Sequence, residues 1–260
     1  MHYWKLRIRL EGEGYVIDEL DDGPITYDVL REYGILILPD IEEELRNDEV
    51  RAMTNFLNGD GRILIIGEWK GAHLPESASR LSVAAGIRYD DTFVQDPDDN
   101  MFQNLNWTII HNINPSHDIG RGISSFVIYK GSSLTLTDPA RATAIAWGDS
   151  NTYVLDPIGD GTLPDAWEGV VESSGPHSST IIVLAASSYA VSGGEARLVC
   201  TVDSDLWKNG NDYEWGDYDP IEDYDNRKLL VNNRLASRPR FTASNAAAWI
   251  WDDQPRRSDL

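Results

Sequence analysis

Two unbroken aliphatic runs, residues 35–38 (Ile-Leu-Ile-Leu) and 63–66 (Ile-Leu-Ile-Ile), stand on either side of one amphipathic helical pattern. A strand with one face in water alternates apolar and polar residues. A continuous apolar run of this length describes a strand covered on both faces, the condition of a parallel sheet. Between the runs, Leu45, Val50, Met53, Phe56 and Leu57 recur at helical spacing over residues 42–58, with acidic residues near the N-terminal end, where the helix dipole favours them. Gly59-Asp60-Gly61 ends that helix, and Pro39 and Gly67 end the runs. Strand, helix, strand in so short a span predicts parallel pairing with a right-handed crossover.

The same buried-strand pattern returns at residues 181–186 and 198–202. Elsewhere the signals are mixed. Residues 2–12 have helical spacing with Trp4, Ile8 and Leu10 on one side, and Gly12 and Gly14 stop them. A short strand follows at 15–18, then a short helix that Thr26 is placed to cap. Residues 75–85 read as a helix with Pro75 at its start. Residues 90–104 are acidic and polar and read as a loop, 120–160 hold short alternating strands, and 224–235 form a last helix. The expected architecture is α/β: a mainly parallel central sheet flanked by helices, with a strand-rich extension.

Charge narrows the partners. Asp and Glu outnumber Lys and Arg by 43 to 22, a formal charge of −21. Such a surface repels phosphate backbones and anionic lipid, which argues against nucleic acid and against membrane surfaces. Only five of the basic residues are lysines, and this pattern is also that of a protein adapted to high salt. No apolar run reaches transmembrane length and residues 1–10 are charged throughout, so the chain is expected to be soluble, without membrane insertion, and cytoplasmic by default. The single cysteine, Cys200, lies in a strand-like run and reads as a small core residue rather than a reactive thiol.

The order of elements resembles the class I glutamine amidotransferase-like superfamily. Residues 25–39 (Ile-Thr-Tyr-Asp-Val-Leu-Arg-Glu-Tyr-Gly-Ile-Leu-Ile-Leu-Pro) are similar to its switch helix and following strand. Residues 50–66, 79–87, 111–122, 185–205 and 225–232 resemble further segments in the same order, covering about 14–235. More narrowly the pattern resembles a non-catalytic branch, the intraflagellar-transport-type GIFT domain and related uncharacterised prokaryotic domains. The resemblance implies a flavodoxin-like strand order, with an amidotransferase-like domain over residues 1–237 and a polar C-terminal tail over 238–260. Active members hold a nucleophilic cysteine at a sharp strand-to-helix turn. The matching turn here, Gly67-Glu68-Trp69-Lys70-Gly71, has none. Members also open with a strand that sits centrally in the sheet, and residues 1–12 read as a helix instead. Either the start is truncated, the favoured reading, or another segment fills the gap between the strands at 15–18 and 35–38. Truncation predicts a vacancy there, and direct pairing across it with a full hydrogen-bond ladder would count against truncation.

Candidate site residues follow from position. Glu68, Trp69 and Lys70 come after a buried strand at its carboxyl end, where open α/β sheets bind ligands. A carboxylate, an indole and an ammonium there suit a small polar ligand such as a carbohydrate. Asp203, Ser204 and Asp205 follow another buried strand, and Trp207 begins an aromatic, acidic stretch with Tyr213, Trp215, Tyr218 and Tyr224. Asp203 or Ser204 also suits a turn cap. The acidic cluster Asp217, Asp219, Glu222, Asp223 and Asp225 fits no calcium-loop spacing, and the five histidines fit no ligand spacing, so no metal and no cofactor is expected. No Gly-x-Ser-x-Gly elbow exists; Ser187-Ser188-Tyr189 is its nearest imitation and reads as a structural turn. The leading expectation is a non-catalytic domain that binds a small polar ligand or a protein. The alternatives are a hydrolase working through carboxylate or serine chemistry, and an accessory domain of a transport or surface assembly.

Overall fold

The computed structural model describes residues 3–20, 24–39, 41, 43–69, 76–90, 92–155, 171–173, 181–192, 194–207, 220–222, 224–235 and 246–249. The chain opens with helix α1 (Trp4–Gly12) and strand β1 (Val16–Glu19), then α2 (Tyr27–Leu30), β2 (Ile35–Pro39), α3 (Asn47–Asn58), β3 (Arg62–Ile66) and α4 (Glu76–Ala84). Short strands follow: β4 (Ile87–Tyr89), β5 (Phe93–Gln95), β6 (Trp107–Ile110), β7 (Asn112–Ile113), β8 (Phe126–Tyr129), β9 (Leu134–Leu136), β10 (Ala142–Trp147), β11 (Tyr153–Leu155) and β12 (Val171–Ser173). Two long strands, β13 (Ile182–Val191) and β14 (Gly194–Thr201), precede helix α5 (Asn226–Leu235) and strand β15 (Ala246–Trp249). The architecture is mixed α/β around a multi-strand sheet.

Among the described residues the main sheet has ten strands, ordered β1-β15-β2-β3-β14-β13-β10-β7, with β9 on β13 and β4 on β9. From β1 to β14 every pairing is parallel. From β13 onward every pairing is antiparallel. The expected mainly parallel sheet is therefore parallel in one half only. The run at 181–186 is buried but reverses direction, because β13 folds back onto β14 as an antiparallel hairpin with Val191 opposite Gly194. Leu36, Ile37, Leu38, Ile63, Ile65, Ile66, Val183, Leu184 and Leu198 lie in the core, as their aliphatic runs require.

The position read as vacant between β1 and β2 is taken. Ala246–Trp249, inside the stretch read as a polar tail, runs parallel to both, pairing Val16 to Glu19 on one side and Ile35 to Ile37 on the other. Neither a gap nor direct β1–β2 pairing is present: another segment fills the position, as the second of the two readings has it. Three alanines and a tryptophan carry little strand periodicity, and alanine is a weak strand former.

Helix α1 also differs from expectation. It buries Tyr3, Leu6 and Leu10, while Trp4 and Ile8 are 40% and 50% exposed. Both stripes have helical spacing, and burial went to the one holding the two leucines and a tyrosine whose hydroxyl finds a partner 3.1 Å away. Helix α3 begins at Asn47, later than expected. Its start is set by buried Glu49, whose carboxylate accepts the N–H groups of Arg46 (2.9 Å) and Ile25 (3.2 Å). Thr26 caps α2 as expected, accepting from Val29 N at 3.3 Å. Glu44 in turn accepts from the first two N–H groups of α4, Glu76 at 2.8 Å and Ser77 at 3.0 Å. Among the described residues no helix is long and apolar enough to cross a membrane.

Candidate functional site

Strands β3 and β14 pair in parallel and in register, Ile66 opposite Thr201, so the segments that follow them leave the same edge side by side. The ladder continues one step: Gly67 N donates to Thr201 O at 2.9 Å. Only glycine fits there. A Cβ on Gly67 would sit 2.3 Å from the Tyr89 ring and 2.8 Å from the Thr201 carbonyl. The Tyr89 hydroxyl closes the same corner, 3.0 Å from Thr201 O and 3.3 Å from Ile65 O.

Beyond this corner the two candidate segments meet. Glu68 is 5% exposed. Its carboxylate accepts the Trp69 N–H at 3.0 Å and the hydroxyl of Ser204. Asp203 and Ser204 are both 0% exposed. One Asp203 oxygen accepts the Asp205 N–H at 2.9 Å, capping the 3-10 turn Asp205–Trp207, and the other accepts the N–H of Tyr129 at the end of β8. The Ser204 carbonyl accepts the Tyr3 hydroxyl at 3.1 Å. Glu68, Asp203 and Asp205 each place a carboxylate oxygen within 4.8 Å of the other two. Three carboxylates at such spacing can share a proton, receive a cationic group or collect a hard cation.

Four of the seven candidate residues thus converge: Glu68, Asp203, Ser204 and Asp205. Trp69 stands beside them, half-buried and edge-on to Phe93 at 5.3 Å. Trp207 does not line a surface. It is fully buried, and its indole N–H donates to Asn226 O at 3.0 Å, so its role is in the core. Lys70 lies outside the described residues, as do Tyr213, Trp215, Tyr218, Asp217, Asp219 and Asp223. Of the acidic cluster that is described, Glu222 pairs with Arg9 at 2.6 Å, and Asp225 accepts from Ser124 N at 2.6 Å. Tyr3, Tyr89 and Tyr129 also build the site. Nothing near them in sequence signals this, because each arrives from a distant element.

The cysteine is elsewhere. Cys200 is buried within β14, paired in register with Ile65. Burial pushes its thiol up to about 12, against a smaller opposing effect of the Tyr89 hydroxyl. It therefore carries no thiolate near neutral pH and does not occupy the turn after β3. Ser187 is buried in β13, and the Ser188 hydroxyl donates to Glu195 across the hairpin, both structural placements. Of the histidines, His111 lies 3.8 Å from Asp99, and His117 accepts from Ile119 N at 3.2 Å with its pKa lowered by burial.

No family model matches this sequence, and no curated protein does. Solved structures do match in fold. The mmIFT52 N-terminal domain superposes with a TM-score of 0.67 at 15% identity, covering 94% of this chain and 93% of that one. A putative ThuA-like protein from Bacteroides uniformis gives a TM-score of 0.50 at 13% identity, covering 89% and 82%. At these identities the likeness is one of fold. This chain shares its fold with both.

Proposed function

We propose that this chain is a non-catalytic domain of amidotransferase-like fold, of the GIFT-like branch, that binds a small polar ligand or a protein. The observation that carries the reading is the turn after β3. Where an amidotransferase needs an exposed, activated thiol, this chain has Glu68, buried and hydrogen-bonded to Ser204, while its sole cysteine is a core residue of β14. The likeness to the mmIFT52 N-terminal domain over nearly the whole of both chains supports an interaction role. Glu68, Trp69 and Asp205 are the groups that a polar ligand, a carbohydrate for example, would meet.

The test has two arms. Glutamine hydrolysis is assayed with wild type and Cys200→Ala; turnover that disappears in the variant refutes the reading. Thermal shift is then measured against a panel of mono- and oligosaccharides. A ligand that raises the midpoint of wild type and not of Trp69→Ala supports the small-ligand form. A flat panel favours the protein-binding form.

One observation favours a hydrolase instead: the Ser204 hydroxyl donates to a carboxylate, as a nucleophile does to its base. Ser204 is 0% exposed, however, and its carbonyl is held by Tyr3, which fits a structural bond better than an attacking group. Hydrolysis of a p-nitrophenyl ester that is lost in Ser204→Ala, with the fold intact, would restore the enzyme reading.

A further inference from the structure

The loop between β5 and β6 is acidic, as the sequence reading expected, but its shape is fixed. Asp96 is 1% exposed, and its carboxylate accepts the N–H groups of Asp98 (2.9 Å) and Asp99 (2.8 Å) and the hydroxyl of Thr152 (2.7 Å). Asn100 Nδ2 donates to the carbonyls of Asp96 and Pro97, both at 3.0 Å. Ile109 N donates to Asp99 O at 2.9 Å, and Asn104 N to Met101 O at 2.9 Å. Asn151 joins from the next loop, donating to Asp98 at 2.6 Å.

This braced loop lifts an aromatic ring into water. Phe102 and Gln103 take φ of +54° and +61°, a left-handed pair that side chains of this size resist. Phe102 is 73% exposed, and Leu105 beside it is 40% exposed. The Phe102 ring stands edge-on to Trp107 at 5.9 Å, and Trp107 stands edge-on to Tyr129 at 5.5 Å. Tyr129 is fully buried, so the three rings form a rigid ladder from core to surface. Asp98 and Asp99 lie four and three residues before Phe102 in the same loop. Burial raises the Asp99 pKa first; His111 opposes it, while Asp96 and Asp149 crowd it further with negative charge.

We propose that Phe102, Asp98 and Asp99 form a docking site for an arginine-bearing segment of a protein partner. The chemistry selects arginine. A guanidinium stacks on an aromatic face and forks onto carboxylates with the same planar group, and it sheds water more readily than an ammonium. An anionic segment is repelled here, and a purely apolar one would strand the carboxylates. The net charge of −21 steers a basic partner toward the chain from a distance. The site lies on the β5–β6 loop and does not depend on the reading of the turn at Glu68.

A random dodecapeptide phage library, selected on the wild-type chain and counter-selected on Phe102→Ala, tests the proposal. The expected survivors are enriched in arginine over the input library. A synthetic peptide from a survivor should bind wild type roughly tenfold more tightly than Phe102→Ala, and Asp98→Asn/Asp99→Asn should cost about as much. Changing the peptide's arginine to lysine should weaken binding as well. Phe102→Ala should keep the wild-type thermal midpoint, so that lost binding is not lost folding. The proposal is overturned if no peptide discriminates the two proteins, if survivors carry no excess of arginine, or if lysine serves equally.

Discussion

Ser204→Ala deletes one hydroxyl that is wholly buried and donates to the carboxylate of Glu68, itself 5% exposed. A hydrogen bond to a charged acceptor contributes about 1.5–3 kcal/mol net, and the buried acceptor is not rehydrated when its donor goes. At roughly 2–4 °C per kcal/mol for a domain of this size, the thermal midpoint should fall by about 3–12 °C. Glu68→Gln keeps the shape and removes the charge, so the same contact is weakened from the other side. The double variant should then cost less than the sum of the two singles by at least about 0.5 kcal/mol, because the second change removes an interaction already broken. Urea unfolding of all four proteins, followed by circular dichroism, gives the cycle. Additive costs, or a Ser204→Ala cost under about 0.5 kcal/mol, would mean that the bond does not tie the β3 turn to the segment after β14.

Three further outcomes are expected. A chain ending at Asn245 loses β15, the strand between β1 and β2, and exposes two parallel ladders. Its midpoint should drop by more than about 5 °C, and equal midpoints would mean that β15 adds nothing. Glu44 has its pKa lowered below the ordinary 4.5, first by the Ser77 hydroxyl bond and further by the N–H groups at the start of α4. A lowered pKa stabilises the fold above pH 4.5 and loses that contribution as pH falls through the folded value, so the gap in urea midpoint between wild type and Glu44→Gln should narrow from pH 7 to pH 4. Cys200, with its pKa near 12 and no exposure, should resist iodoacetamide at pH 8 in the native state and react fully in urea; rapid native labelling would contradict its burial.

How much of the fold the sequence revealed depended on how residues earn their burial. The runs at 35–38 and 63–66 read as strands because four aliphatic residues stopped by Pro39 and Gly67 are too short for a buried helix and suit a strand covered on both faces, and the structure places them as neighbours in parallel register. The run at 181–186 looked the same, since burial leaves its mark on a strand whatever direction the strand takes. Direction is set by the connection, and the short link from Val191 to Gly194 makes this pair antiparallel. Helix α1 shows the limit of periodicity: Trp4 and Ile8 recur as regularly as Leu6 and Leu10, and only tertiary contact decides between the stripes. Strand β15 was invisible for a simpler reason. Its four residues gain a partner on each side only once β1 and β2 are in place, and a partner supplied by the fold leaves no local pattern.

The site divides along the same line. Glu68 and the Asp203–Ser204–Asp205 segment were each legible as polar residues following a buried strand. Their meeting was not, because 134 residues of chain separate Glu68 from Asp203, and what joins them is the β3–β14 register. Once that register is known, convergence follows, since parallel neighbours end at one edge and the residues after them must share it. Trp207, an indole at the start of an acidic stretch, reads as exposed, whereas the 3-10 turn capped by Asp203 rotates it inward to Asn226. The same cap that buries Trp207 holds Asp203 between Asp205 N and Tyr129 N. The deepest carboxylate of the cluster is therefore committed to backbone bonds, and the ligand proposed for this edge would meet it with Asp205 and Trp69 nearer the surface.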